Sequence, residues 1–337
     1  MNIVFLGLSI TSSWGNGHAT TYRGLIKALT ARGHKVLFLE RDQRWYAENR
    51  DLARPGFGQT ELYGSLSELT TRWKRRVADA DLVVVGSYVP DGVRVGEWVQ
   101  ATASGPTAFY DIDTPVTLAK LAAGDLEYIS APVLRGYDLY LSFTGGPTLR
   151  TLEKLYGAQR ARVLYCSVDP DLYFPEPLPA QWDLGYLGTF SQDRQPALEQ
   201  LMCRPADLWP EGRFCVAGSL YPDSVAWPAN IHRIHHLPPA DHRHFYNGQR
   251  WTLNITRADM VRAGYSPSVR LFEAGACGTP IISDRWKGLD DLFEPDREIR
   301  IADTTDQALD ILRHTTESER RNIGDRARRR VLARHTA

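Results

Sequence analysis

The sequence predicts an α/β protein built from two doubly wound, mostly parallel sheets, one in each half of the chain. Three observations predict it. Residues 2–40 run strand, loop, amphipathic helix, strand, which is the unit such sheets are made of. The same order restarts at Asp183. Between the two lies a proline-rich, polar stretch at residues 167–182 that reads as a linker. The expected organisation is an N-terminal domain at 1–166, the linker, and a C-terminal domain at 183–337, facing each other across a deep cleft. A length of 337 residues suits two domains of ordinary size.

Composition narrows the class of protein. Hydrophobic content of 43% and charged content of 24% are those of a globular chain. The 40 basic and 40 acidic side chains cancel, so the basic excess of a nucleic-acid binder is missing and no nucleic-acid partner is expected. No apolar run reaches the roughly 18 residues that span a bilayer. The start lacks a basic segment and reads as a first strand, not a signal peptide. The four cysteines, Cys166, Cys203, Cys215 and Cys277, show no paired or metal-binding spacing. They read as small buried hydrophobes in a reducing compartment, so a cytoplasmic protein is expected.

In chain order, strands are predicted at 2–8, 35–40, 82–86, 107–110, 139–143 and 163–166. Helices are predicted at 19–32, where Leu25, Ile26 and Leu29 share a face, and at 93–103, 114–123 and 147–156. Residues 43–73 carry no clear period and are expected as loops. The second half begins with a strand at Asp183 and continues with strands at 213–217, 231–235 and 251–255. The tail is helical, with Ala308, Leu309 and Leu312 on one face. Its basic run at 320–334 reads as a solvated helix face, with no apolar partner face to support membrane attachment.

Residues 266–283 carry the strongest chemical signal. Ser266 reads as the N-cap, with Pro267 in the first helical position. Leu271 and Phe272 supply an apolar face, Gly278 a C-terminal cap, Pro280 a stop, and Ile281 and Ile282 a strand. Such a helix start offers free N–H groups and a positive dipole end to a phosphate, and the residues there include Ser268. Arg270 adds a bidentate cation, and Glu273, three residues on, is expected on the same side to accept sugar hydroxyls. Together these suit a nucleoside diphosphate.

Other candidates have two readings each. The first loop holds Gly7, Gly15 and Gly17, then His18. The glycines are too far apart for a dinucleotide fingerprint, although Glu40 at the end of the second strand keeps that reading open. His18 at a helix start is either a base or hydroxyl ligand, or a helix cap, with Gly15 and Gly17 lining a cleft or only making a turn. Asp111 and Asp113 end a strand and share a face. They read as metal ligands, as partners of acceptor hydroxyls or of a cationic transition state, or as a helix cap. Five of nine histidines fall within 232–244, at spacings that fit no zinc pattern. His236 among them lines a base pocket or is solvated. Gly188 permits close approach of a ligand, and Arg194 and Arg257 are phosphate ligands or ordinary surface arginines.

Arg270-Leu-Phe-Glu-Ala-Gly-Ala-Cys-Gly-Thr-Pro-Ile-Ile-Ser283 resembles the nucleotide-sugar signature of GT-B glycosyltransferases of the family-4 type, nearest the branch related to spore-maturation glycosyltransferase-like proteins. Val163-Leu-Tyr-Cys-Ser-Val-Asp-Pro-Asp-Leu-Tyr-Phe-Pro175 is similar to that family's approach to the interdomain linker, and residues 283–293 to the segment after the donor helix. The resemblance implies two facing Rossmann-like domains, with a nucleotide sugar such as a UDP-sugar held mostly by the second. It implies ribose recognition by Glu273, diphosphate contacts near 266–269, and Arg194 with Arg257 on the diphosphate. His18 is similar to the histidine of some inverting members, and Asp113 to a residue near the reacting carbon in retaining ones; retention is the expectation. No metal or other cofactor is expected. The family's usual pair of glutamates eight positions apart is broken, since Tyr265 stands at the first. Relatives usually continue past Ala337 into a further helix. The function expected is hexosyl transfer to an acceptor the sequence does not name. Alternatives are a sugar-nucleotide epimerase of the same fold, a catalytically silent nucleotide-sugar-binding protein and, remotely, an NAD dehydrogenase.

Overall fold

The apolar runs of the first half pair side by side as seven parallel strands. They are β1 (Asn2–Gly7), β2 (Lys35–Arg41), β3 (Gln59–Tyr63), β4 (Leu82–Gly86), β5 (Thr107–Asp111), β6 (Leu139–Ser142) and β7 (Ala161–Val163), in the order β3-β2-β1-β4-β5-β6-β7. A parallel sheet is covered on both faces, so its central strands are apolar without alternation. Accordingly, Ile3, Val4, Phe5 and Leu6 of β1 and Val83, Val84 and Val85 of β4 are all buried. The computed structural model describes residues 1–337 and divides into two units, Met1–Cys166 with Ala337, and Ser167–Thr336.

The second unit repeats the plan with β8 (Trp182–Leu187), β9 (Phe214–Ala217), β10 (Ile231–Ile234), β11 (Gln249–Asn254), β12 (Ile281–Ser283) and β13 (Arg300–Ile301), ordered β10-β9-β8-β11-β12-β13. Every pairing is again parallel. Each sheet reverses its winding once, at β1/β4 in the first unit and at β8/β11 in the second. Ligands of open α/β sheets bind beside the carboxyl ends of strands at such reversals. The α/β class expected from the sequence is therefore the observed one.

Four details differ from the sequence reading. Residues 43–73 are not all loop: they contain the edge strand β3 and the helix Leu66–Arg72. β3 reads Gln-Thr-Glu-Leu-Tyr and buries only Tyr63, because an edge strand has one neighbour to satisfy. The last strand of the first sheet is Ala161–Val163, not 163–166. Residues 167–182 pack within the second unit instead of running free: Val168 bridges to Thr336, Tyr173 is buried, and the Glu176 amide donates to Asn247 Oδ1 at 2.8 Å. The basic tail forms the helix Glu317–Arg334, whose Ile323, Gly324, Ala327 and Val331 make a narrow buried stripe. That stripe packs against the helix Val269–Ala276, and a Cβ on Gly324 would lie 2.2 Å from the Gly278 carbonyl oxygen. No helix is long and apolar enough to cross a membrane.

Candidate active site

In the second unit, polar side chains gather where β8, β11 and β12 end. The helix Val269–Ala276 starts there, but its cap is Ser268, not Ser266. The Ser268 hydroxyl accepts from the Arg270 amide at 3.4 Å, while Ser266 is buried and donates to Met260 Sδ at 3.1 Å. Pro267 therefore precedes the cap. Gly264 and Tyr265 both hold left-handed backbone, at φ 67° and 49°, and this tight turn delivers the chain to the cap two residues later than the Ser-Pro pair suggests.

Arg270 spans the winding reversal. Its Nε donates to Leu187 O at the end of β8 at 2.7 Å, and its Nη1 to Asn254 Oδ1 at the end of β11 at 2.9 Å. The guanidinium lies 4.9 Å from the centre of the Tyr186 ring, and the residue is buried. Asn254 in turn donates to Ser283 Oγ at 2.9 Å. Asp284 accepts from the Thr256 amide at 3.0 Å and the Thr256 hydroxyl at 2.9 Å. Burial raises the Asp284 pKa, opposed by these hydrogen bonds and by the charge of Arg270. Asn254 and Asp284 belong to the site yet had no signal of their own in the sequence. Only their positions one residue inside or outside a strand end could have marked them.

Glu273 does not share partners with Arg270. Its carboxylate is buried and accepts from Tyr246 Oη at 3.0 Å, and the Tyr173 hydroxyl bonds to it as well. Arg194 folds back on its own loop, with Nη2 donating to Thr189 O at 2.6 Å. Arg257 is exposed and precedes the helix Ala258–Ala263. The two arginines flank Asp193. Burial alone would raise its pKa, but hydrogen bonds from Ser191 and the Ala258 amide, with both cations, hold it below the usual range. The Gly188 amide donates to Ala217 O and its carbonyl accepts from Tyr221, so this peptide is engaged by protein. His236 lies exposed beyond β10, at the sheet edge and away from the reversal. No three or more His, Cys, Asp or Glu side chains converge as a metal site, the His232–His244 stretch included.

In the first unit the loop after β1 closes on Glu40. This carboxylate accepts from the Ser9 and Thr11 hydroxyls at 2.9 and 2.6 Å and from the Ile10 and Thr11 amides at 2.8 and 3.0 Å. Glu40 is fully buried, which corrects its reading as the acid of a dinucleotide site. Gly15 holds φ 59°, which its turn requires, while Gly17 has ordinary helical backbone, and neither has a neighbour that a Cβ would touch. The Asn16 side chain, not His18, caps the helix His18–Ala31, accepting from the His18 amide at 3.1 Å. His18 Nδ1 is sealed from solvent without a partner, and burial lowers the ring pKa to about 4.

The two aspartates at the end of β5 and just beyond it part company. Asp111 is fully buried, accepts from Tyr140 Oη and Thr117 Oγ1 at 2.5 and 2.7 Å, and has its pKa raised by burial to about 6. It faces the interior, which corrects its reading as a cleft residue. Asp113 is half-buried and accepts from Tyr88 Oη at 3.0 Å. Tyr88, absent from the sequence reading, follows β4, and its ring centre is 5.4 Å from that of His18. His18, Tyr88 and Asp113 thus gather at the winding reversal of the first sheet.

Two parallel α/β units, each with its polar cluster at a strand-order reversal, are the building plan of the GT-B fold. Residues 194–337 match the family model described as glycosyl transferase-like. Among solved structures, the chain is similar to sucrose-phosphate synthase from Thermosynechococcus elongatus, at 15% identity and TM-score 0.69, covering 100% of this chain and 95% of that one. It is similar to HepE from Anabaena in complex with UDP and glucose, at 15% identity and TM-score 0.72, covering 100% and 96%. An alpha-glucosyltransferase in complex with UDP matches at 11% identity and TM-score 0.73, again covering 100% and 96%. No curated protein matches the chain in sequence. Neither the family match nor these likenesses single out the spore-maturation branch.

Proposed function

We propose that the protein moves a sugar from a nucleotide-sugar donor, with UDP as the nucleotide, to a hydroxyl-bearing acceptor. The observation that carries this reading is Arg270. It is a buried cation at the start of an eight-residue helix, held by Leu187 O and Asn254 at the reversal of the second sheet. The binding of UDP and UDP-glucose by proteins of similar fold supports the same choice. In this reading the diphosphate meets the helix N-terminus at Ser268 and Val269, with Arg194 and Arg257 adding positive charge as the leaving group departs. Those cations do the work a metal would do, so the reaction is read as metal-independent. Glu273 is assigned to the ribose hydroxyls, which requires one of its carboxylate oxygens to be uncovered from Tyr246 and Tyr173.

The acceptor belongs to the first unit, near His18 and Asp113. In the transfer, the acceptor oxygen bonds to the anomeric carbon, the carbon–oxygen bond to the diphosphate breaks, and the acceptor proton is released. Retention, with that proton passing to the departing phosphate, is the first reading. A specific observation favours a second. His18 Nδ1 has no partner within the protein, so the ring has an acceptor atom left for a proton, the role that inversion would give it. Zero net charge speaks against a nucleic-acid acceptor.

Thermal melts with UDP, GDP, ADP and dTDP test the donor assignment. At about 100 times its Kd, UDP should add about 2.7 kcal/mol of stability. Glu273→Ala should weaken that gain. A chain stabilised by none of the four nucleotides would sink the reading. NMR of the anomeric proton in the product separates retention from inversion, and donor consumed without acceptor or water addition would identify an epimerase.

A further inference from the structure

Tyr88 carries a second functional assignment, one that rests on the glycosyl-transfer reading. It sits at the carboxyl end of β4 with φ 63°, a left-handed conformation that an aromatic L-residue adopts only when its surroundings force it. Asp91, three residues on, is also left-handed at φ 57°. Aspartate takes that conformation readily, but a tyrosine does not, so Tyr88 marks a backbone held against its preference, and such strain concentrates at functional sites. The neighbouring framework shows what holds it. The Ser87 amide donates to Tyr110 O at 3.0 Å, Ser87 Oγ accepts from the Ile112 amide at 3.2 Å, and Val89 is buried. The backbone on both sides of Tyr88 is fixed, so the side chain is aimed.

Its target is the Asp113 carboxylate, to which the phenol donates at 3.0 Å. One side of the ring meets Tyr128, with centres 4.6 Å apart, and His18 lies 5.4 Å away. Tyr128 is itself tied down, its hydroxyl 2.7 Å from Thr117 Oγ1, which donates to the buried Asp111 at 2.7 Å. Burial and the Asp113 charge both push the phenol pKa up, so the hydroxyl stays protonated and remains a donor. A fixed donor holds a half-buried carboxylate in one orientation, and losing that donor loosens it.

We propose that Tyr88 is a positioning residue of the transfer reaction, holding the Asp113 carboxylate in place beside His18 at the winding reversal of the first sheet.

The test is the steady-state hydrolysis of UDP-glucose by the full chain, with water as acceptor. Water adds through oxygen to the anomeric carbon, the bond to UDP breaks, and one proton is released. Tyr88→Phe keeps the ring and removes only the donor. Its kcat should fall about tenfold or more while KM for UDP-glucose stays within about twofold, because donor binding belongs to the other unit. Asp113→Asn should show the same split, and the double variant should be no slower than the slower single one. If Tyr88→Phe does not fold, as judged by circular dichroism, Asp113→Asn and its KM-against-kcat split carry the test. A Tyr88→Phe kcat within twofold of wild type overturns the proposal, as does a double variant in which the two losses multiply. Wild-type protein that neither binds UDP nor hydrolyses UDP-glucose removes the transfer reading and this one together. An active wild type with an unaffected Tyr88→Phe removes this one alone.

Discussion

Glu40 shows how far one side chain's meaning depends on its neighbours. In the sequence it is an acid at the end of a second strand, the place where a dinucleotide enzyme keeps its ribose ligand. In the structure its two oxygens accept four hydrogen bonds from residues 9–11, and nothing of it is exposed. The carboxylate shapes the loop that leads to His18. Glu40→Ala would leave two amides and two hydroxyls without their acceptor in a buried setting. At about 1–3 kcal/mol for each unsatisfied group, partly recovered by entering water, the expected loss is about 3 kcal/mol or more. Urea denaturation at pH 7 measures it, and a loss below about 1 kcal/mol would show that the loop re-pairs elsewhere. Tyr88 is the opposite case. The role proposed for it rests on a backbone angle and on a carboxylate 25 positions away, just past the next strand, and neither leaves a trace in the local sequence.

At the scale of elements, legibility followed burial. β1 and β4 are covered on both faces, so each carries an apolar run that could be read directly, and β5 is buried along its whole length. β3, with one neighbour and one buried residue, is too polar to announce itself. The helix Val269–Ala276 was legible in its turn chemistry and misplaced in its cap, because the Gly264-Tyr265 turn decides where the chain enters. Its end matches the reading. The Gly278 amide donates to Gly275 O and the Thr279 amide to Ala274 O, both at 3.0 Å, with Gly278 at φ 73°, which is a Schellman termination. What the sequence concealed is the crossing with Glu317–Arg334, whose apolar stripe is hidden among arginines. Two alanine substitutions separate the effects. At Gly278 a Cβ has no neighbour closer than 3.8 Å, so Gly278→Ala costs only its left-handed backbone, about 1 kcal/mol. At Gly324 a Cβ meets a backbone oxygen at 2.2 Å, so Gly324→Ala forces the helices apart and should cost about 3 kcal/mol. Chemical denaturation of both variants should give this order; the reverse order would mean that the helix crossing yields easily.

Across the whole molecule, the part of the candidate clusters that was legible is carried by one continuous stretch of the second unit, Arg270 with Glu273. The rest is assembled from strand ends far apart in sequence, and the same assembly buries ionisable groups of opposite response. His18 and His335 are both lowered to about 4, His18 by burial and His335 by burial with Arg330 and Arg334 adding to it. His335 is stacked on Phe272 at 4.4 Å with its Nε2 unpaired. Asp111 is raised by burial to about 6, and Asp284 is raised for the same reason. The signs oppose. As pH falls from 6.5 toward 4, the unfolded chain takes up protons on the two histidines that the native state refuses, so stability is lost. From pH 6 down toward 3.8 the native state takes up a proton on Asp111 that the unfolded chain does not, so stability is regained. Asp51 and Glu317, both held near 2, lose their contribution as pH falls through their ordinary values of 3.8 and 4.5, so they act only at the acid end of this window and add to the loss there. Wild-type stability should therefore fall between pH 7 and 4, only partly offset, because two histidines lowered from 6.5 to about 4 outweigh one Asp111 raised from 3.8 to about 6. Asp111→Asn removes the compensating acid and should lose stability steadily over that range. His18→Gln with His335→Gln should gain it, each uncompensated proton contributing up to about 1.4 kcal/mol per pH unit. Urea melts at pH 7, 5.5 and 4 read both slopes, and parallel curves for the two variants would show that these groups are not the ones titrating.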